Sequence, residues 1–155
     1  MLKKNLIIFS IIIFTFFLDL ITKNYALSSL IINHSISINN FLNFTLAFNH
    51  GAAFSFLSNA GGWQRWFFII FSVIVILIIT YILVKEKNSQ YTAFSFVIGG
   101  AIGNLYDRIL YGYVIDFIEF HYNSFYWPIF NIADIAISIG IILLLYSMFA
   151  KESKK

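Results

Sequence analysis

"FNIADIAISIG" (130–140) opens an apolar stretch that runs on to Ala150, yet it places Asn131 and Asp134 where a membrane helix favours leucine. A carboxylate at mid-bilayer costs about 2.5–3.5 kcal/mol on insertion scales. The chain must therefore gain something from it. The stretch is a span by length, since a hydrocarbon core of about 30 Å takes roughly 20 helical residues. Three more apolar segments are long enough, near 5–27, 63–84 and 91–110, beside the fourth at 130–150.

Composition agrees. Of 155 residues, 60% are hydrophobic and only 11% charged, and the mean hydropathy is +0.84, too apolar for a domain that must cover itself with polar surface. The expected fold class is an all-α membrane protein of four transmembrane helices with a small β-rich external segment, forming a single domain over 1–155. There is no Cys, which excludes disulfides, thiolate nucleophiles and sulfur-ligated metals.

Cations orient the spans. Lys3, Lys4, Lys85, Lys87, Lys151, Lys154 and Lys155 precede the first span, separate the second from the third, or follow the fourth, so all share one side if every span crosses. The positive-inside rule makes that side cytoplasmic, with both termini there and the segments 28–62 and 111–129 outside. An alternative reading takes the N-terminus as a cleaved signal peptide, with Ala26-Leu27-Ser28 as the small-x-small cleavage site. Such cleavage would discard Asp19 and Lys23, whose i,i+4 spacing puts them on one helix face.

Outside, residues 35–56 mix β-branched and aromatic residues with turn formers at Asn39-Asn40 and Asn49-His50-Gly51, as a small sheet on the membrane surface would. Trp63, Trp66, Tyr126 and Trp127 fall where an interfacial aromatic belt lies.

The polar residues in or beside the spans are Asp19 and Lys23 on the first, Asn104, Asp107 and Arg108 on the third, Asp116 just after it, and Asn131 and Asp134 at the start of the fourth. All lie towards the outer side. The pairs Asn104/Arg108 and Asn131/Asp134, at i,i+4 and i,i+3, each project from one helix face. Gly99-Gly100 and Gly103 form a small-residue face that lets a neighbouring helix approach.

The three His lie apart in the outer segments without metal-ligand spacing, and no Ser sits in a G-x-S-x-G turn, so zinc and serine catalysis have little support. Two aspartates remain, Asp116 and Asp134. Carboxylates brought close together share a proton, so that one activates water while the other polarises a carbonyl. Asn131 or Asn49 could donate to the developing oxyanion. Proton handling and a purely structural ion pair stay open beside hydrolysis.

The blocks "DLITK" (19–23), "NHGAAF" (49–54), "GGAIGNLYDR" (99–108), "VIDF" (114–117) and "FNIAD" (130–134), in this order, resemble the bacterial lipoprotein signal peptidase family, signal peptidase II. The resemblance implies an aspartic endopeptidase of the bacterial cytoplasmic membrane that cuts the signal peptide from a prolipoprotein just before its diacylglyceryl-modified Cys. It implies Asp116 and Asp134 as the catalytic dyad, Asn49, Asn104, Arg108 and Asn131 lining the site, and Asp19 and Lys23 in its supporting shell. No metal or other cofactor is called for. The expected partners are lipid-modified prolipoproteins and membrane lipids, with no nucleic acid, and the protein is expected to be a monomer.

Overall fold

The computed structural model describes residues 2–51, 57, 60–85 and 90–152. Four helices, α1 (Leu2–Ser29), α2 (Gln64–Lys85), α3 (Tyr91–Leu110) and α4 (Ile132–Glu152), enclose one another, and four strands form a sheet beside them. The strands are β1 (Ser35–Asn39), β2 (Leu42–Asn49), β3 (Val114–Tyr122) and β4 (Phe125–Tyr126), all antiparallel in the order β1-β2-β3-β4. Part of the "NHGAAF" block, residues 52–54, lies outside the described residues, as does the remainder of the segment to 56.

Helix α1 is inside out relative to a helix of a soluble bundle. On α1 the buried positions are Thr15, Asp19, Lys23 and Ala26, a polar and small stripe at spacings of four, four and three, whereas Phe9, Phe14, Phe17, Ile21 and Tyr25 are exposed. Such a helix hides polar groups and offers apolar ones to its surroundings, the arrangement lipid requires. By length and composition α1, α2 and α4 can each cross a membrane. The third helix differs from the sequence-based expectation. Its run is interrupted by Gly, Asn, Asp and Arg and falls short of the same measure, because it packs on α1, α2 and α4 and meets protein where the others expose apolar side chains.

Glycines set how close α3 comes, and they face two ways. A Cβ on Gly99 would lie 2.9 Å from Thr15 Cβ and one on Gly103 2.5 Å from Asp19 Oδ2, so these two admit α1. Gly100 lies against the Ala133 carbonyl of α4, and Gly140 of α4 against Val97 of α3. The small-residue run is thus shared between two interfaces.

The β-rich segment expected within 28–62 supplies only β1 and β2; β3 and β4 come from the second outer segment, 111–129. Strand β3 lies on β2, with Ala47 opposite Asp116 and Asn49 opposite Val114. An Asx turn closes β1 to β2, the Asn39 side chain accepting from Phe41 N at 2.9 Å, as its Asn-rich turn suggested. Beneath the sheet Ala26, Leu46, Ile115, Phe117 and Ile118 form an apolar core that seats it on the end of α1.

Candidate active site

Under the sheet, at one end of the bundle, the polar residues of α1, α3 and α4 meet those of β2 and β3. Asn131 immediately precedes α4 and is fully buried (0% exposed). Its Oδ1 accepts from Asp134 N at 2.9 Å, while Asp134 Oδ2 accepts from Asn131 N at 3.3 Å, a reciprocal capping arrangement that satisfies otherwise orphaned amides at a helix start. Asp134 therefore begins as part of a helix cap. Its other oxygen, Oδ1, accepts from Asn104 Nδ2 at 2.8 Å.

Capping turns the remaining amide of Asn131 outward to β3, where Nδ2 donates to Asp116 Oδ1 at 2.6 Å. Asn49, at the end of β2, donates to Asp116 Oδ2 at 3.0 Å and accepts from Gly51 N at 3.0 Å. Asp116 is 2% exposed. Burial, and after it the charge of Asp134, push its carboxyl up to about 7, against the amides of Asn49 and Asn131 and the charge of Lys23. One strand and one helix thus deliver two carboxylates that Asn131 links, its side-chain amide donating to Asp116 and its backbone N–H to Asp134.

Arg108 donates from Nη2 to Gly51 O at 2.9 Å and lies 5.1 Å over the ring of Phe68. Deeper still, Lys23 (1% exposed) makes ion pairs with Asp19 at 2.7 Å and Asp107 at 2.8 Å and donates to Asn104 Oδ1 at 3.0 Å. Every N–H of the ammonium has an acceptor, the condition under which a buried cation is tolerated.

A cavity of about 820 Å³ opens onto this floor. Asn49, Asn104, Arg108, Asp116 and Asp134 line its polar end, and Phe120, Trp127 and Phe130 with Ile135, Ile139 and Ile142 of α4 line the rest. All eight expected site residues are brought into one connected network. Asn131, named as a possible oxyanion donor, does not line the cavity: its amide is engaged behind the dyad. Arg108 is the cation that does. Two features escaped the sequence reading. Depth along the span singles out Asp107 without giving it a role, and the sequence does not mark the apolar wall as such, although Ile135, Ile139 and Ile142 recur at helical spacing after Asp134. Among the described residues no three His, Asp or Glu are grouped to hold a metal ion.

Apolar helices around a buried, carboxylate-floored cavity define a membrane protein with a polar site at one end of its bundle. Residues 11–150 match the family model described as signal peptidase (SPase) II. The chain is 50% identical to the lipoprotein signal peptidase of Dichelobacter nodosus over 144 residues, covering 92% of this chain and 93% of that protein. It is 49% identical to that of Alteromonas mediterranea, covering 90% and 79%. A bacterial membrane enzyme solved by the in meso method at 2.3 Å superposes with a TM-score of 0.83 at 33% identity, covering 99% of this chain and 91% of that one. The chain belongs to the signal peptidase II family.

Proposed function

We propose that this protein is an aspartic endopeptidase of the bacterial cytoplasmic membrane that removes the signal peptide from prolipoproteins just before a diacylglyceryl-modified Cys. One observation carries the reading: two carboxylates, on β3 and at the start of α4, lie with Asn49, Asn104 and Arg108 at the polar end of a cavity whose lining beyond them is mostly apolar. Such a site suits a peptide bond at the end of an apolar helix.

Asp116 and Asp134 are the catalytic pair. One carboxylate, ionised, takes a proton from water as it attacks the scissile carbonyl while the other, protonated, donates to the carbonyl oxygen; on collapse the first passes its proton to the leaving amine and the second takes its own back from the hydroxyl of the tetrahedral intermediate. The raised affinity of Asp116 for its proton supports keeping one proton on the pair near neutral pH. Arg108 and Asn49 hold the cavity's polar rim and offer N–H groups to the developing oxyanion. Replacing either by Ala lowers turnover by about 10²-fold while leaving the dyad in place; wild-type rates in both variants, measured on purified protein, would remove them from the site.

All four helices cross the membrane in this reading, α3 within the shelter of the others, with both termini cytoplasmic and the dyad towards the outer face. Reporters fused after Lys4, at Asn88 and after Lys155 then read cytoplasmic, and those at Asn40 and Asn123 external. A reporter at Asn88 that reads external contradicts this topology. The function itself is tested by incubating purified protein, in detergent with a strong chelator, with a lipidated precursor. Cleavage before the modified Cys is the expected result, and failure to cut any lipidated precursor rejects the assignment.

A further inference from the structure

Asp107 is a buried acid on α3, 2% exposed, that the proposed chemistry does not use. Its Oδ2 receives Lys23 Nζ at 2.8 Å and the backbone N–H of Ile115 at 3.1 Å. Ile115 immediately precedes Asp116. Asp19, on the other side of the same ammonium, receives Lys23 Nζ on Oδ2 at 2.7 Å and the backbone N–H of Ala133 on Oδ1 at 2.8 Å. Ala133 immediately precedes Asp134. The two acids flanking Lys23 therefore grip the main chain one residue before each member of the dyad, one on a strand and the other on a helix.

We propose that Asp107 is a positioning residue that sets Asp116 through the Ile115 amide, and that Lys23 couples this hold to the matching hold of Asp19 on Asp134. The inference rests on the dyad reading above. Packing alone can keep a strand near a helix, but it leaves the strand free to slide or tilt by a fraction of an ångström. A hydrogen bond to the adjacent amide limits that freedom at the place where the carboxylates must face one another. The close approach is built in at Gly103, where a Cβ would press on Asp19 Oδ2 at 2.5 Å. A single oxygen of Asp107 serves both Lys23 and Ile115, so the position requires an acceptor oxygen, and a neutral amide oxygen meets that requirement. The formal charges agree: Asp19 alone balances Lys23.

The test compares Asp107→Ala with Asp107→Asn on a lipidated precursor, recording kcat, KM and thermal unfolding of monodisperse enzyme in detergent. Misplacing reacting groups by about 1 Å costs about 10²-fold, so Asp107→Ala loses about 10²-fold in kcat with KM changed less than about 3-fold. Asp107→Asn recovers kcat to within about 5-fold of wild type. A residue serving only stability would lower the unfolding temperature in Asp107→Ala and leave kcat per folded molecule intact. That result overturns the proposal, as does an Asp107→Asn enzyme as inactive as the alanine variant. If Asp107→Ala is not recovered folded, the asparagine variant alone decides, because loss of about 10²-fold in it contradicts the acceptor role. Failure of the dyad reading is distinguishable: Asp116→Asn and Asp134→Asn would then retain turnover, whatever Asp107 does.

Discussion

Asp116→Asn and Asp134→Asn each lower cleavage by about 10⁴-fold or more, the upper range for loss of a general acid or base, with insertion and yield close to wild type. Asparagine is nearly isosteric and keeps one acceptor oxygen for the N–H donors around each carboxylate, Asn49 and Asn131 at Asp116 and Asn104 and Asn131 at Asp134, but it cannot carry the proton. Measured on purified variants with a lipidated precursor, substantial turnover by either would exclude an aspartic mechanism.

The same pair sets a pH dependence. With Asp116 titrating near 7, kcat/KM falls on the alkaline side as the pair loses its last proton, and on the acid side as the second carboxylate protonates. The alkaline limb therefore centres near pH 7. Stability carries the opposite sign from a salt-bridged acid. A carboxyl whose folded pKa lies above its unfolded value of 3.8 binds its proton more tightly when folded, so its contribution is favourable at low pH and is lost as pH rises from about 4 to about 7. Asp116→Asn removes that dependence and raises the unfolding temperature at pH 8 relative to wild type. An equal or lower value would show that burial does not disfavour the Asp116 carboxylate.

A precursor carrying the diacylglyceryl Cys is cleaved with kcat/KM at least about 10²-fold above the same precursor left unlipidated. The dyad sits at the end of the helices, next to the sheet, while the cavity continues along α4 past Ile135 and Ile139 to Ile142. A signal helix in this groove could slide along it, and acyl chains held in the leaflet stop the sliding with the scissile bond beside Asp116 and Asp134. Each methylene kept in an apolar surrounding contributes about 0.8 kcal/mol. Four of them, about 3 kcal/mol, already exceed a 10²-fold effect. Equal rates for the two precursors would remove the lipoprotein assignment and leave a general membrane peptidase.

Much of this was legible because lipid is an unforgiving solvent. Every polar residue in a span must have a reason, so Asp19, Lys23, Asn104, Arg108, Asn131 and Asp134 could be picked out from an apolar background and assigned a common depth. Positions of the helices followed from length alone, within a few residues at each end. Strand β3 could not be found in this way: "VIDFIEF" is a short, mostly apolar segment interrupted by Asp116 and Glu119, and such a segment reads equally as strand or helix until its partner is known. Its partner is β2, more than sixty residues earlier. The division of Gly99, Gly100 and Gly103 between two helices, the turning of Asn131 away from the cavity, and the grip of Asp107 on the Ile115 amide are likewise decided between elements distant in sequence. By itself the sequence determined which groups are too costly to bury without purpose. Only the tertiary structure decided which of them face the cavity and which hold those that do, because a hydrogen bond's direction depends on where both partners' backbones lie, and spacing along one helix specifies only one of them.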